Sequence, residues 1–94
     1  MPSGTAPVPG PFARAIAAEV RQAMARHMVS GAELARMTGR SQSYLSKRLR
    51  ADSSFTANDV SDICDVLGED LEALLVAAVR ASRRNGLHGG SNGS

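Results

Sequence analysis

The chain has 94 residues with no Trp, two Phe and one Tyr, so it can form one small domain whose core contains few large side chains. Its apolar content of 43% is ordinary for a soluble globular protein, and no apolar run approaches the roughly 20 residues that span a bilayer, which excludes a membrane protein. One Cys and two distant His exclude a disulfide framework and a zinc site, and the N-terminus does not resemble a secretion signal, so we expect a cytoplasmic protein without a metal or other cofactor.

The net charge is only +2, but the charges are unevenly distributed along the chain. Residues 14–50 contain eight Arg or Lys against two acids, residues 51–79 contain seven acids and no base, and three Arg follow at positions 80, 83 and 84. Such polarity would orient the protein on a polyanion such as DNA and accelerate their encounter. The alternative interpretation is that these charges only solvate helix faces.

Residues 1–11 are predicted to form a flexible arm, because Pro and Gly together occupy six of these positions. A first helix is predicted from Phe12 to about Met28, since large apolar side chains recur there at every fourth position. Those side chains are Phe12, Ile16, Val20 and Met24. Met28 continues the same spacing, and we expect it in the core beside Met24.

The stretch from Ser30 to Arg50 is predicted to form two short helices joined by a turn. Ser30 and Glu33 have the spacing of a capping box, in which the two residues bond reciprocally at a helix start. The first helix is predicted to end at Gly39, because glycine tolerates positive φ. Ser41 then caps a second helix that runs through Arg50. The side chains predicted to be buried are Ala32, Leu34, Ala35 and Met37 in the first helix, and Leu45 and Leu49 in the second.

Thr56 and Asp59 repeat the capping-box pattern and predict a fourth helix that ends at Gly68. The i, i+3, i+4, i+7 spacing predicts its buried face. That face consists of Val60, Ile63, Cys64 and Leu67. The carboxylates of Asp59, Asp62 and Asp65 invite a metal or catalytic interpretation, but they drift around the helix and no His joins them. We therefore expect them on a solvated outer face.

Asp70 is predicted to cap a fifth helix with a broad apolar face. The face consists of Leu71, Leu74, Leu75, Ala78 and Val79, and Val76 widens it. This is more apolar surface than a small core needs. The predicted domain spans residues 12–82, and the Gly- and Ser-rich residues 83–94 are predicted to be a disordered tail.

The two-helix stretch is similar to the Cro/cI-type (XRE) helix-turn-helix family. The residues that match its spacing are Leu34-Ala35, Gly39, Ser41-Gln42-Ser43 and Leu45-Ser46, and the similarity extends to the helix junction at residues 68–75. The resemblance implies an all-α fold, a five-helix lambda-repressor-like bundle, and a sequence-specific transcriptional repressor that binds a double-stranded DNA operator. Because a second domain does not fit in this length, the chain resembles the compact immunity repressors of temperate phages.

The resemblance also has implications outside the DNA-reading helix. In repressors of this family the last helices commonly form the twofold interface, which would place Leu75, Val76 and Val79 between the subunits of a possible homodimer. Internal packing of these residues is the alternative. Many family members carry a glutamine that contacts phosphate at the position of Gly31, so we expect that contact to be missing.

The second motif helix is expected to enter the major groove of B-DNA, because a helix fits this groove and its N-terminal side chains reach base edges. The predicted base-reading residues are Gln42, Ser43 and Lys47, with Tyr44 and Ser46 at the margin. Residues in the turn and at the helix ends are expected to contact phosphates, which position the protein without reading sequence. These residues are Arg36, Arg40, Ser41, Arg48 and Arg50.

A different class of function is also open, namely a protein-interaction module such as an antitoxin or anti-repressor whose acidic segment 52–72 binds a basic partner. For DNA binding, a monomer on an asymmetric site and a dimer on two half-sites are both compatible with one module per chain. The sequence lacks a nucleophile with its base and a phosphate-cradling loop, so we expect neither enzymatic activity nor a small-molecule ligand.

Overall fold

The computed structural model describes the backbone of residues 8–93 and the side chains of residues 8–84. This part of the chain forms five α-helices and no β-strand, which confirms the predicted all-α bundle. The helices are α1 (Pro11–His27), α2 (Gly31–Thr38), α3 (Gln42–Leu49), α4 (Ala57–Leu67) and α5 (Leu71–Gly93). Helices α2 to α5 each start at the residue after the predicted cap.

The structure describes the two predicted terminal segments only in part. Residues 1–7 of the predicted arm are not described, but at its inner end Pro9 is buried and its carbonyl accepts a hydrogen bond from Arg14 Nη1 at 2.7 Å. Helix α5 extends to Gly93, beyond the domain end predicted at residue 82. The side chains of residues 85–94, most of the predicted tail, are not described.

Both predicted capping boxes are present, because each needs only groups that lie three residues apart. In the first, Glu33 N donates to Ser30 Oγ at 3.1 Å and Ser30 N donates to Glu33 Oε1 at 2.9 Å. In the second, Asp59 N donates to Thr56 Oγ1 at 3.0 Å and Thr56 N donates to Asp59 Oδ2 at 2.9 Å. The backbone and hydroxyl of Ser30 hold the pKa of Glu33 below its usual value.

The core joins all five helices around a few fully buried side chains. Val20 from α1, Leu34 from α2, Leu45 from α3 and Ile63 from α4 have no exposed surface, and α5 adds Leu74. Burial of each such side chain contributes about 1.5–3 kcal/mol to folding. Cys64 is also buried, as predicted, and its burial raises the pKa of the thiol. The small residues Ala15, Ala17 and Ala23 of α1 are buried as well, and α1 makes its largest helix contact with α5.

The prediction that Met28 lies in the core is wrong, because 88% of its surface is exposed. Helix α1 ends at His27, and Met28 is its C-cap in the left-handed region with φ 54°. Because the helix ends one residue before Met28, the spacing of four residues no longer places this side chain on the buried face. Phe12 and Met37, predicted on buried stripes, are also more than one-third exposed.

The left-handed conformation of Met28 leads to a prediction for Met28→Gly. Glycine avoids the steric cost of a Cβ at this φ, and little packing is lost, so the free energy of unfolding should rise by about 0.5–1 kcal/mol despite the larger entropy of the unfolded chain. Urea unfolding of the full chain measures this change. Met37→Gly is the matched control inside α2 and should lower stability by about 1 kcal/mol. A less stable Met28→Gly protein would contradict the prediction.

The end of α1 is joined to the turn between α4 and α5 by Glu69. Its Oε2 lies 2.6 Å from His27 Nε2, and its Oε1 accepts a hydrogen bond from Arg26 Nη2 at 3.1 Å. The His27 ring and the Arg26 guanidinium hold the pKa of the Glu69 carboxyl below its usual value.

Among the helices described, none is long and apolar enough to cross a membrane.

Candidate nucleic-acid interface

Helices α2 and α3 are joined by the three-residue turn Gly39-Arg40-Ser41. Gly39 has φ 69°, which lets Arg40 N bond back to the Ala35 carbonyl at 2.9 Å and close the end of α2. Ser41 Oγ then accepts the amide of Tyr44 at 3.1 Å and caps α3. The predicted helix-turn-helix is therefore formed from local cap and turn interactions.

The exposed face of α3 combines polar and cationic side chains. Gln42, Ser43 and Lys47 are exposed, and Ser46 is half-buried beside them. The opposite face consists of Leu45, which is fully buried, and Leu49, which packs against the core. Four of the five predicted base-reading residues thus share one accessible face, as the helical period requires.

Tyr44, the fifth predicted base-reading residue, is oriented away from that face. Its hydroxyl donates to Asp59 Oδ2 at 2.8 Å, and Arg40 Nε donates to Asp59 Oδ1 at 2.7 Å. The Arg48 guanidinium lies 3.6 Å from the centroid of the Tyr44 ring, with its Nε 3.8 Å from Asp59 Oδ2. We call Arg40, Tyr44, Arg48 and Asp59 the Asp59 cluster.

Asp59 was predicted on a solvated outer face, and that prediction is wrong because only 1% of its surface is exposed. Burial by itself raises the pKa of a carboxyl. Hydrogen bonds from the Thr56 backbone, the Tyr44 hydroxyl, the Arg40 guanidinium and the Thr56 side chain outweigh it and hold the pKa of Asp59 below its usual value. The carboxylate is therefore a buried anion with hydrogen bonds to both oxygens.

The cluster changes the roles expected of two arginines. Arg40 also donates to Asp62 Oδ2 at 2.8 Å and to the Thr38 carbonyl at 2.9 Å. Arg48 donates to the Tyr44 carbonyl at 3.2 Å, while its Nε is buried without a hydrogen-bond partner in the described part of the chain. About 80% of each arginine side chain is buried, at 18% and 20% exposed, and their phosphate contacts stay a prediction from the sequence.

The other predicted phosphate contacts are accessible. Arg36 is exposed in the last turn of α2, and Ser41 is exposed at the start of α3. Arg50 is exposed at the end of α3, where its Nε lies 3.0 Å from Asp52 Oδ2. Arg21 of α1 was not among the predicted site residues, but its Nη1 donates to the Leu49 carbonyl and ties the end of α3 to α1.

The residues predicted at a dimer interface lie along α5. Leu75 and Val79 are half-buried and Val76 is 43% exposed. They line a shallow groove of about 490 Å³ together with four further α5 residues, which are Leu71, Glu72, Arg80 and Arg83. A second apolar groove of about 330 Å³ shares Leu71 and Leu75 and continues onto Phe12 and Phe55.

Within residues 8–84, His, Cys, Asp and Glu form no group of three that could bind a metal ion.

All five helices contribute to the core, and the second helix of the helix-turn-helix presents a polar, cationic face on its surface. This arrangement is that of the class of helix-turn-helix domains. The chain belongs to the helix-turn-helix domain family, whose profile matches residues 15–78. No curated protein matches the chain significantly.

The solved structures that are similar to this chain include two of one regulator. A crystal structure of the clp gene regulator ClgR from Corynebacterium glutamicum is 26% identical, with a TM-score of 0.67 over 72% of this chain and 88% of that chain. A second crystal structure of ClgR is 23% identical, with a TM-score of 0.77 over 92% of this chain and 90% of that chain. At 23% identity, the second similarity shows only that the two proteins share a fold.

Proposed function

We propose that the protein is a sequence-specific regulator of transcription that binds double-stranded DNA and reads the major groove with α3. The observation that carries this proposal is the accessible face of α3, where Gln42, Ser43 and Lys47 project from a helix fixed on the core by Leu45. Membership of the helix-turn-helix family and similarity to a clp gene regulator support it.

The proposed recognition follows from the chemistry of each side chain. Gln42, in the first turn, is suited to bidentate contact with adenine N6 and N7, and Lys47, about one turn further along, to guanine O6 or N7. Ser43 and Ser46 discriminate less between bases because a hydroxyl both donates and accepts. The predicted role of Tyr44 is not part of this proposal, since its hydroxyl is bonded to Asp59.

The proposed phosphate contacts are fewer than the sequence suggested. They comprise Arg36, Arg50 and the backbone amides at the starts of α2 and α3, where Ser41 is the cap. A Cβ at Gly31 would meet nothing within 4 Å, so no neighbouring atom explains why the phosphate-binding glutamine of many family members is absent here. Each neutralised phosphate contributes about 0.9 to the slope of log K against log salt.

A salt-titrated gel shift against a randomised duplex pool tests the proposal. Selection should enrich one short sequence. The affinity should fall with salt, with a slope of about 2 per subunit if Arg36 and Arg50 supply the phosphate contacts. Failure to retain any duplex at low salt would overturn the proposal. Repression by occlusion of polymerase, and the likeness to XRE phage immunity repressors, belong to the same proposal and require a promoter assay.

The alternative of a protein-interaction module receives less support. The acidic segment 52–72 contains four acids that already pair within the chain, namely Asp52 with Arg50, Asp59 and Asp62 with Arg40, and Glu69 with Arg26 and His27. A basic partner would have to displace these cations. Partner capture that survives loss of Lys47 and Arg50 would favour this alternative.

The exposed pair of Arg50 and Asp52 leads to a prediction for Asp52→Asn. Asp52 competes with phosphate for Arg50, so its neutralisation should tighten binding to all duplexes by up to about fivefold at low salt, in line with the energy of an exposed ion pair. Asp65→Asn makes the same charge change on exposed α4 and should have a smaller effect. Weaker binding by Asp52→Asn would show instead that Asp52 orients Arg50 toward DNA.

We also propose that two copies pair in antiparallel fashion through α5. Val76 lies four residues from both Glu72 and Arg80, so a twofold axis at Val76 places Glu72 opposite Arg80 of the partner subunit. The apolar residues of the groove would then be buried between two pairs of Glu72 and Arg80, one on each side of the axis.

A charge exchange on α5 tests this pairing. Light scattering should show that Glu72→Arg weakens the dimer by about tenfold and that adding Arg80→Glu restores it. Glu72→Arg combined with Arg84→Glu has the same net charge as the restored pair, but Arg84 does not line the groove, so this control should stay weakened. A wild-type protein that is monomeric at high concentration would overturn the pairing.

A further inference from the structure

The Asp59 cluster connects the turn and the DNA-reading helix to α4 through one buried carboxylate. Asp59 bonds Arg40 in the turn and Tyr44 in the first turn of α3, while Gln42 and Lys47 of the same helix stay exposed. With 1% of its surface exposed, Asp59 cannot contact DNA. Any effect it has on DNA binding must therefore act through the position of α3.

We propose that Asp59 is a positioning residue, which sets the angle at which α3 enters the major groove. The inference rests on the proposed function, because it concerns how the reading helix is oriented. Arg21 supplies a second tie at the other end of α3 through the Leu49 carbonyl. With α3 fixed at both ends, base-reading side chains are preorganised, and a small displacement of such groups is costly for recognition.

Electrostatics and positioning predict opposite signs for Asp59→Asn. The substitution raises the net charge by one, so long-range electrostatics alone would tighten binding to every duplex. An asparagine oxygen in the place of Oδ2 keeps Tyr44 as a partner but without the charge, while the amide nitrogen in the place of Oδ1 cannot accept from Arg40 Nε. Release of Arg40 and the weaker bond to Tyr44 should loosen α3 and weaken binding to the selected duplex. The asparagine oxygen can still accept the Thr56 amide, which preserves the start of α4.

The experiment compares full-length wild type, Asp59→Asn and Asp62→Asn on the selected duplex and on a scrambled one, at a temperature where circular dichroism shows each protein to be folded. Asp62 also bonds Arg40, but it is exposed and does not bond to α3, so it is the matched control. The affinity of Asp59→Asn should fall about tenfold for the selected duplex and change little for the scrambled one. Asp62→Asn should bind both as tightly as wild type or more tightly. Equal losses on both duplexes, or no loss, by Asp59→Asn would overturn the inference.

A second variant keeps the test decisive if Asp59→Asn does not fold. Tyr44→Phe removes only the hydroxyl donor and keeps the ring under Arg48, so specific affinity should fall by about threefold. Where Asp59→Asn folds, the double variant should lose less than the sum of the two single losses, because both changes weaken the same bond. Unchanged affinity for Tyr44→Phe, or additive losses in the double variant, would contradict the inference.

Intrinsic fluorescence gives a measurement that needs no DNA. Tyr44 is the single tyrosine of a chain without Trp, so the emission reports on its bond to Asp59. The emission should change in folded Asp59→Asn and not in Asp62→Asn. If wild type binds no duplex, the proposed function fails, while unchanged emission in folded Asp59→Asn overturns the positioning inference separately.

Discussion

Alanine at position 47 should lower the affinity for the selected duplex by roughly 5- to 150-fold, because a good contact between a basic side chain and guanine is worth about 1–3 kcal/mol. Lys47 is exposed on the accessible face of α3, and its pairing to another side chain is not observed among the described residues. The affinity for a scrambled duplex should fall only by the share that the charge contributes. The ratio of the two affinities, measured at one salt concentration, is therefore the quantity to follow.

Arg50→Ala provides the matched control for Lys47→Ala. Both changes remove one positive charge from α3 or its end, but Arg50 follows the helix as its C-cap and is proposed to contact phosphate. Its removal should weaken all duplexes alike and reduce the salt slope by about 0.9. If Lys47→Ala behaves in the same way as Arg50→Ala, Lys47 does not read bases.

Asp59→Ala should destabilise the protein by about 3–5 kcal/mol, because loss of one partner from a buried ion pair leaves the other charge without compensation. Among the described residues Arg48 would keep no carboxylate, Arg40 would keep only the exposed Asp62, and Tyr44 would lose its acceptor. A domain of this size has a total stability of about 5–15 kcal/mol, so the loss is a large fraction of it. Thermal or urea unfolding measures the change.

Asp62→Ala is the control for stability as well. Asp62 bonds the same Arg40, but half of its side chain is exposed, so its removal should cost less than about 1 kcal/mol. Similar losses for Asp59→Ala and Asp62→Ala would show that burial of the carboxylate is unimportant. The comparison keeps Arg40 as the cationic partner of both acids, whereas the buried Asp59 also holds Tyr44 and the Thr56 amide.

The lowered pKa of Asp59 predicts how stability depends on pH. The folded chain binds this proton more weakly than the unfolded chain, so the stability is fully present above the unfolded pKa of about 4 and is lost as pH falls through the folded pKa. Glu33 and Glu69 act in the same direction. Asp59→Asn retains those two groups, so its unfolding midpoint should fall less steeply with acid than that of wild type.

The helix starts were predictable from the sequence because caps are local. Ser30, Ser41 and Thr56 each accept an amide from a residue three positions ahead, and no tertiary contact is required. The apolar periods of α1 and α4 predicted Val20, Met24, Ile63 and Cys64 in the core for a similar reason, since the helical repeat alone decides which residues share a face.

The start and fold of the Ser30 to Arg50 motif were thus determined by the sequence, whereas the roles of its charges were decided only by the tertiary structure. Arg40 and Asp59 are 19 residues apart, and Tyr44 and Asp59 are 15 apart, so no local pattern reveals that they bond. Sequence periodicity could not show that Asp59 of α4 is covered by the packing of the Arg40, Tyr44 and Arg48 side chains. Because that packing buries the carboxylate, it occupies Arg40, Tyr44 and Arg48 and leaves Gln42, Ser43 and Lys47 as the accessible face.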